Sequence, residues 1–187
     1  MKCSFFIKAA TNGKTKNQKV VQNTSKKEFS ELIEKHQGII HKITMVYAHN
    51  SVDREDLFQE ICLQLWRTFS SFRGEAQFST WMYRVALNTA ISNVRKNSRR
   101  PVFETLKGNE KVVAEEMNDA EQVKLLYRGI ARLNHIDKAI ILLWLEDKSY
   151  EEIAEVLGTS KGNIGVKLVR IRKKLEEWVS ITEKQES

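Results

Sequence analysis

Proline occurs once in this chain, at Pro101, and glycine only eight times in 187 residues. An all-β fold needs a turn about every 8–12 residues and draws on Gly and Pro to make it, so the punctuation for such a fold is missing. The two cysteines, Cys3 and Cys62, have no partner spacing. Without a CxxC pair or a His/Cys cluster, a disulfide framework and a structural zinc site are both excluded, and Cys62 reads as a small core residue. The four histidines, at 36, 41, 49 and 135, are scattered, and there is no P-loop. No set of residues has the spacing of a catalytic or metal-binding constellation. The sequence therefore reads as that of a non-enzyme with no cofactor and no metal. No apolar run approaches the ~20 residues of a membrane span. Cys3 to Ile7 is too short for a signal-peptide core, so a reducing cytoplasm is the expected compartment.

Hydrophobic residues make up 41% of the chain, enough for cores, and with so little turn chemistry the natural reading is all-α. The formal net charge is +7 and the pI near 9.4, a balance that suits a polyanion partner. Its distribution is uneven. Residues 1–27 carry seven lysines and no acid, whereas residues 101–124 carry six acids against three lysines. Different stretches should meet different partners.

Residues 1–24 are lysine-rich and aperiodic, the pattern of a disordered tail. From Phe29, apolar residues recur at helical spacing through Leu32, Ile33, Ile40, Ile43 and Tyr47. Asn50-Ser51 breaks the pattern and Asp53 makes a plausible N-cap. Leu57, Ile61, Leu65 and Phe69 then recur every four residues, opposite a polar face of Asp56, Gln59, Glu60 and Gln64. After a loop around Arg73-Gly74, Ser79 is expected to cap a further helix, with Phe78 and Tyr83 as its hydrophobic staple. Arg84, Asn88, Ser92, Arg95 and Arg99 line one basic stripe of that helix, which should end before Pro101. Residues 101–118 read as an acidic linker. Asn118 and Asn134 are expected to open the next two helices. The expectation is two small helical domains, residues 25–100 and 119–180, joined by that linker.

Ser149-Tyr-Glu-Glu152 is a capping box, Gly158 supplies the left-handed residue that ends the helix, and Thr159-Ser160 starts another, expected to run to about Glu177. A small residue at Ala154, Gly158 at the turn and Ile164 six residues later satisfy the three constraints of a helix-turn-helix, whose second helix enters the major groove. Ile164, Leu168, Ile171 and Leu175 form its inner face. Lys161, Asn163, Lys167, Arg170, Lys173 and Lys174 lie outside, where they can bridge phosphates or read base edges. A helical hairpin with a solvated basic face is the alternative. Gly165 costs ~1 kcal/mol of helix propensity unless it lets the backbone approach DNA closely.

In this order the parts resemble a two-domain sigma factor of the extracytoplasmic-function type, within the sigma-70 family. Asp53-Arg-Glu-Asp-Leu-Phe-Gln-Glu60, with Leu65, Trp66 and Phe69, resembles the region 2.2 helix that docks on RNA polymerase. Phe72-Arg-Gly-Glu-Ala-Gln-Phe-Ser-Thr-Trp81, continuing through Tyr83, Arg84 and Asn88, resembles the segment that opens and reads the −10 element. Ser149 to Leu175 resembles the region 4 helix-turn-helix that reads the −35 element. The resemblance implies that Asp56, Gln59, Glu60 and Gln64 contact polymerase. It implies that Phe72, Trp81, Arg84, Asn88, Ser92 and Arg95 contact the −10 DNA, with Phe72 and Asn88 lining a pocket for a flipped-out base. It implies that Ser160, Lys161, Asn163, Lys167, Arg170 and Lys174 contact the −35 DNA. On the residues alone, Phe72 reads equally as core, Trp81 reads as core in preference to a melting wedge, and the polar face at Asp56 reads as simply solvated. Core RNA polymerase, promoter DNA and an anti-sigma factor are the implied partners of a monomeric chain. Gly165 and Val166 depart from the commoner pattern of polar or basic residues there. The reading from a different class is a stand-alone helix-turn-helix repressor or activator, which would dimerise on two half-sites.

Overall fold

The computed structural model describes residues 16–48, 50–98 and 121–186, and those residues are helical with short connections. Helix α1 is Lys16–Tyr47, α2 Ser51–Thr68, followed by a 3-10 turn at Phe69–Ser71, and α3 Phe78–Ser98. After residues outside the description come α4 Glu121–Ala131, α5 His135–Leu145, α6 Tyr150–Leu157 and α7 Lys161–Glu186. The expected linker at 101–118, the Asn118 cap, Arg99, Cys3 and the first part of the tail lie outside the described residues.

Four sequence expectations shift. Helix α1 starts at Lys16, inside the stretch read as a disordered tail; no proline or glycine between Lys16 and Phe29 breaks it. Asn50, not Asp53, caps α2: its Oδ1 accepts the Asp53 backbone N–H at 2.8 Å, while its Nδ2 donates to the Asp53 carboxylate at 3.0 Å. Asp53 thus sits in the first turn, where its charge meets the positive end of the helix. Ser79 lies inside α3 rather than capping it, because the ladder already begins with Trp81 N–H donating to Gln77 C=O at 3.1 Å. Phe78 then joins a ring cluster instead of stapling to Tyr83. Helix α7 also runs on to Glu186, well past Glu177.

Helices α1, α2 and α3 bury Phe29, Ile33, Ile40, Ile43, Leu57, Ile61, Leu65, Met82 and Leu87 against one another, with Cys62 buried as expected. Around this core Phe29 meets Trp66 and Phe69 edge-on, both at 5.1 Å. Helices α4 to α7 form a second, largely aliphatic core of Ile130, Ile140, Leu143, Ile153, Ile164, Leu168 and Ile171. Gly129 is required there by space: a Cβ on it would stand 2.9 Å from the Trp178 ring and 3.1 Å from Leu175.

The two cores touch. Helix α1 meets α4 and α5, and α3 meets α5 and α6. The polar contacts across this boundary are specific. The Tyr47 hydroxyl donates to the His135 carbonyl, Lys138 Nζ donates to the Val46 carbonyl at 3.1 Å, Lys42 pairs with Glu146, and Lys148 reaches Thr80 Oγ1 at 3.4 Å. Burial pushes the Lys138 ammonium below its usual pKa and the Tyr47 phenol above its own.

Candidate polymerase and nucleic-acid interfaces

The first surface is the polar side of α2. Leu57, Ile61 and Leu65 turn inward, which rotates Asp56 to the exposed side. Gln59, Glu60 and Gln64 are half-buried, and Gln64 Nε2 donates to Glu60 Oε1 at 2.9 Å. The expected set therefore shares one helix face, its amide and carboxylate holding each other in place.

The second surface begins at Phe72, just after the 3-10 turn. Its ring lies 5.5 Å from Phe78 and 5.3 Å from Trp81, and Trp81 in turn contacts Phe69 and Phe78. Each of these aromatics is half-buried in the ring cluster, and each also lines a cleft of about 420 Å³ with Arg84 and Val85. The far wall of that cleft is Glu155 and Val156 of α6. Asn88 is not among the lining residues; it lies one turn beyond Arg84, exposed, and Ser92 and Arg95 continue the exposed stripe.

The third surface is the helix-turn-helix. Ser149 Oγ accepts the Glu152 N–H at 3.2 Å and Glu152 Oε2 accepts the Ser149 N–H at 2.8 Å, completing the capping box. That backbone bond holds the Glu152 carboxyl below the usual glutamate range. Gly158 ends α6 at φ +66°, the left-handed region that a side chain disfavours. The Ser160 hydroxyl accepts from Asn163 N–H at 3.3 Å and so caps α7, while the Asn163 amide donates to Thr159 at 2.8 Å. Ile164, Leu168 and Ile171 are buried and Leu175 half-buried, fixing the rotation of α7.

That rotation separates the expected DNA-facing residues. Asn163 and Arg170 are exposed, as is Lys161, which pairs with Glu151 and holds that carboxyl below its usual range. Lys167 is instead half-buried, its Nζ 3.3 Å from Asp137, and Lys174 approaches the same carboxylate at 3.9 Å. Asp137 is a residue that sequence reasoning missed. It is buried at the start of α5, where Asn134 caps the helix and donates to it at 2.7 Å. The signal for it was Asn134-x-x-Asp137, a cap followed by a first-turn acid. Also missed was the opposite flank, where Arg172 lies over the Trp144 ring at 5.8 Å and Gly165 faces Tyr150. A Cβ on Gly165 would meet that ring at an ordinary 3.7 Å, so packing within the chain does not require glycine there.

Among the described residues, no helix is long and apolar enough to cross a membrane, and no cluster of His, Cys, Asp and Glu could hold a metal ion.

The family model for sigma-70 region 2 matches residues 32–100, and that for sigma-70 region 4 matches residues 124–175. The chain is 31% identical to the ECF RNA polymerase sigma-E factor of Haemophilus influenzae, over 85% of this chain and 91% of that one. It is 26% identical to the RNA polymerase sigma-H factor of Pseudomonas aeruginosa, covering 84% and 89%. Among solved structures, the sigma factor RpoE of Bartonella quintana, in complex with the anti-sigma factor NepR, superposes with a TM-score of 0.67 at 20% identity, covering 83% of this chain and 98% of that one. CnrH in complex with the cytosolic domain of CnrY gives 0.57 at 18%, covering 82% and 88%. These likenesses do not favour a stand-alone repressor or activator. The chain belongs to the sigma-70 family, as an RNA polymerase sigma factor of the extracytoplasmic-function type that directs transcription initiation.

Proposed function

We propose a division of labour among the three surfaces. Residues 25–100 form the unit that docks on core polymerase and opens the −10 element, and residues 119–180 the unit that reads the −35 element, with 101–118 as the linker between them. The observation that carries this is the segregation of charge by helix face. The exposed carboxylate of Asp56, with Gln59, Glu60 and Gln64, occupies a face where phosphate would be repelled. Arg84 and Arg95, with Asn88 and Ser92, present a basic stripe on α3, and Ser160, Lys161, Asn163 and Arg170 present another on α7. Phe72 and Trp81, anchored by their ring neighbours, offer aromatic surface to an unstacked base, a contact worth ~1–3 kcal/mol per base. Their cleft is faced by Glu155, so the two domains must part before DNA enters it.

The ion pair to Asp137 makes Lys167 a cation positioned at the flank of α7, within reach of the phosphate backbone. Arg170 becomes the principal contact. The chain works without chemistry of its own, in the cytoplasm and as a monomer, with polymerase supplying the catalysis. RpoE and CnrH are each seen bound to a protein ligand, and an anti-sigma factor is the corresponding partner proposed here.

The test is run-off transcription and core binding. The wild-type chain should confer promoter-specific initiation on bacterial core polymerase. An Asp56→Ala, Gln59→Ala, Glu60→Ala triple variant should keep its helicity and lose core affinity. Unchanged affinity of the triple variant for core would remove α2 from the docking surface.

A further inference from the structure

With Ile164, Leu168 and Ile171 turned inward, the outermost line of α7 runs through Gly162, Val166, Val169 and Lys173. Two of these four are aliphatic and wide open to solvent: Val166 is 52% and Val169 69% exposed. At Gly162, one turn before Val166, a Cβ would meet nothing within 4 Å. Arg170 stands beside this strip and Lys173 closes its C-terminal end, both exposed. The recognition helix thus presents its partner with a narrow, low, apolar centre rimmed by cations.

We infer that Val166 and Val169 read thymine by packing their methyl groups on the thymine C5-methyls in the major groove. This deepens, and rests on, the proposal that α7 reads the −35 element. Thymine is the one base with an apolar group on its major-groove edge, and apolar side chains are its natural contact. The strip begins in the first turns of the helix, the part of a recognition helix that reaches base edges. Its small side chains and the open position at Gly162 let α7 approach closely. The flanking Arg170 and Lys173 fall where phosphates or guanines border the groove, and their charge favours a polyanion over an apolar protein helix. Specificity would then divide along α7: Arg170 supplies polar or electrostatic contact, and the two valines supply discrimination for the methyl group.

The experiment uses the holoenzyme, reconstituted from bacterial core polymerase and the full chain. Duplexes with a randomised −35 region above a fixed −10 element are selected for binding, and the selected duplex is remade with deoxyuridine for thymidine, one position at a time. Deoxyuridine differs only in lacking the methyl. Loss of one buried methyl contact should weaken wild-type binding about fourfold at each position read. In Val166→Ala and Val169→Ala, whose exposed sites tolerate alanine, a different one of these positions should lose its sensitivity to uracil. If a −35 preference is selected but uracil is neutral at every thymine, the inference is overturned while the −35 reading stands. If no −35 preference is selected, that reading fails and the inference with it. If the alanine variants leave the uracil profile unchanged and instead lose affinity for a protein ligand, the strip is a protein-docking surface and the inference is again overturned.

Discussion

The two domains bury comparable helical faces by different means. In the N-terminal one, rings from four separate segments converge: Phe29 from α1, Trp66 from α2, Phe69 and Phe72 around the 3-10 turn, and Phe78 and Trp81 from α3. In the C-terminal one the core is aliphatic, and local chemistry fixes where α5, α6 and α7 start: Asn134 at α5, Ser149 with Glu152 at α6, Ser160 at α7. On the proposed division of labour, the difference suits the two tasks. A surface that meets an unstacked base needs aromatic area, and the half-buried rings of Phe72 and Trp81 at the edge of the core supply it. A surface that reads a duplex needs one helix held at a fixed rotation, which capped starts and the turn at Gly158 provide.

If that contrast is right, the largest effect comes from the centre of the ring cluster. Phe29→Ala removes a fully buried ring with two edge contacts and should cost ~3–5 kcal/mol in urea unfolding. The loss should concentrate in α1–α3, read by hydrogen exchange. In the C-terminal domain, Gly129→Ala should cost ~1–3 kcal/mol by overpacking against Trp178, exceeding the ~1 kcal/mol that alanine gains in helix propensity. Stabilisation by this change would mean that Trp178 swings away freely.

Ser149→Ala, which removes one half of the capping box, should cost ~1 kcal/mol. The same box gives a pH signature. Because the Glu152 carboxyl is held lower in the folded chain than in the unfolded one, its contribution is complete at neutral pH and is lost as pH falls through that depressed value. The acid-side loss should be smaller in Ser149→Ala and absent in Glu152→Gln. The smallest effect is expected at the domain boundary. Lys42→Ala breaks a partly exposed pair with Glu146 and should change stability by less than ~1 kcal/mol. It should nonetheless raise the accessibility of the cleft at Phe72 and Trp81, measured by tryptophan quenching.

These two modes also explain what could be read in advance. The helix-turn-helix was legible because its signals are local: Ser149 and Glu152 are three residues apart, and Ala154, Gly158 and Ile164 fall within one motif. The buried side of α2 was legible for the same reason, since a four-residue repeat fixes a face. The ring cluster was not, because Phe29 and Phe78 are distant in sequence and each reads locally as core, as a staple or as a base contact. Asp137 was hidden in the same way. Its role in holding Lys167 and Lys174 depends on how α5 crosses α7, and helical spacing along α7 alone placed both lysines outward. The start of α1 was misjudged because lysine-rich composition was weighed above the absence of a helix breaker.

On the proposed division, the two domains read two separate promoter elements. The most direct measurement is holoenzyme affinity for four duplexes, with the −10 and −35 elements intact or scrambled in every combination, for the wild type, Arg84→Ala and Arg170→Ala. Arg170→Ala should weaken binding only where the −35 element is intact, and Arg84→Ala should weaken it whether or not the −35 element is scrambled. Equal losses for both variants on all four duplexes would contradict it, since both arginines would then be contributing only general attraction to DNA.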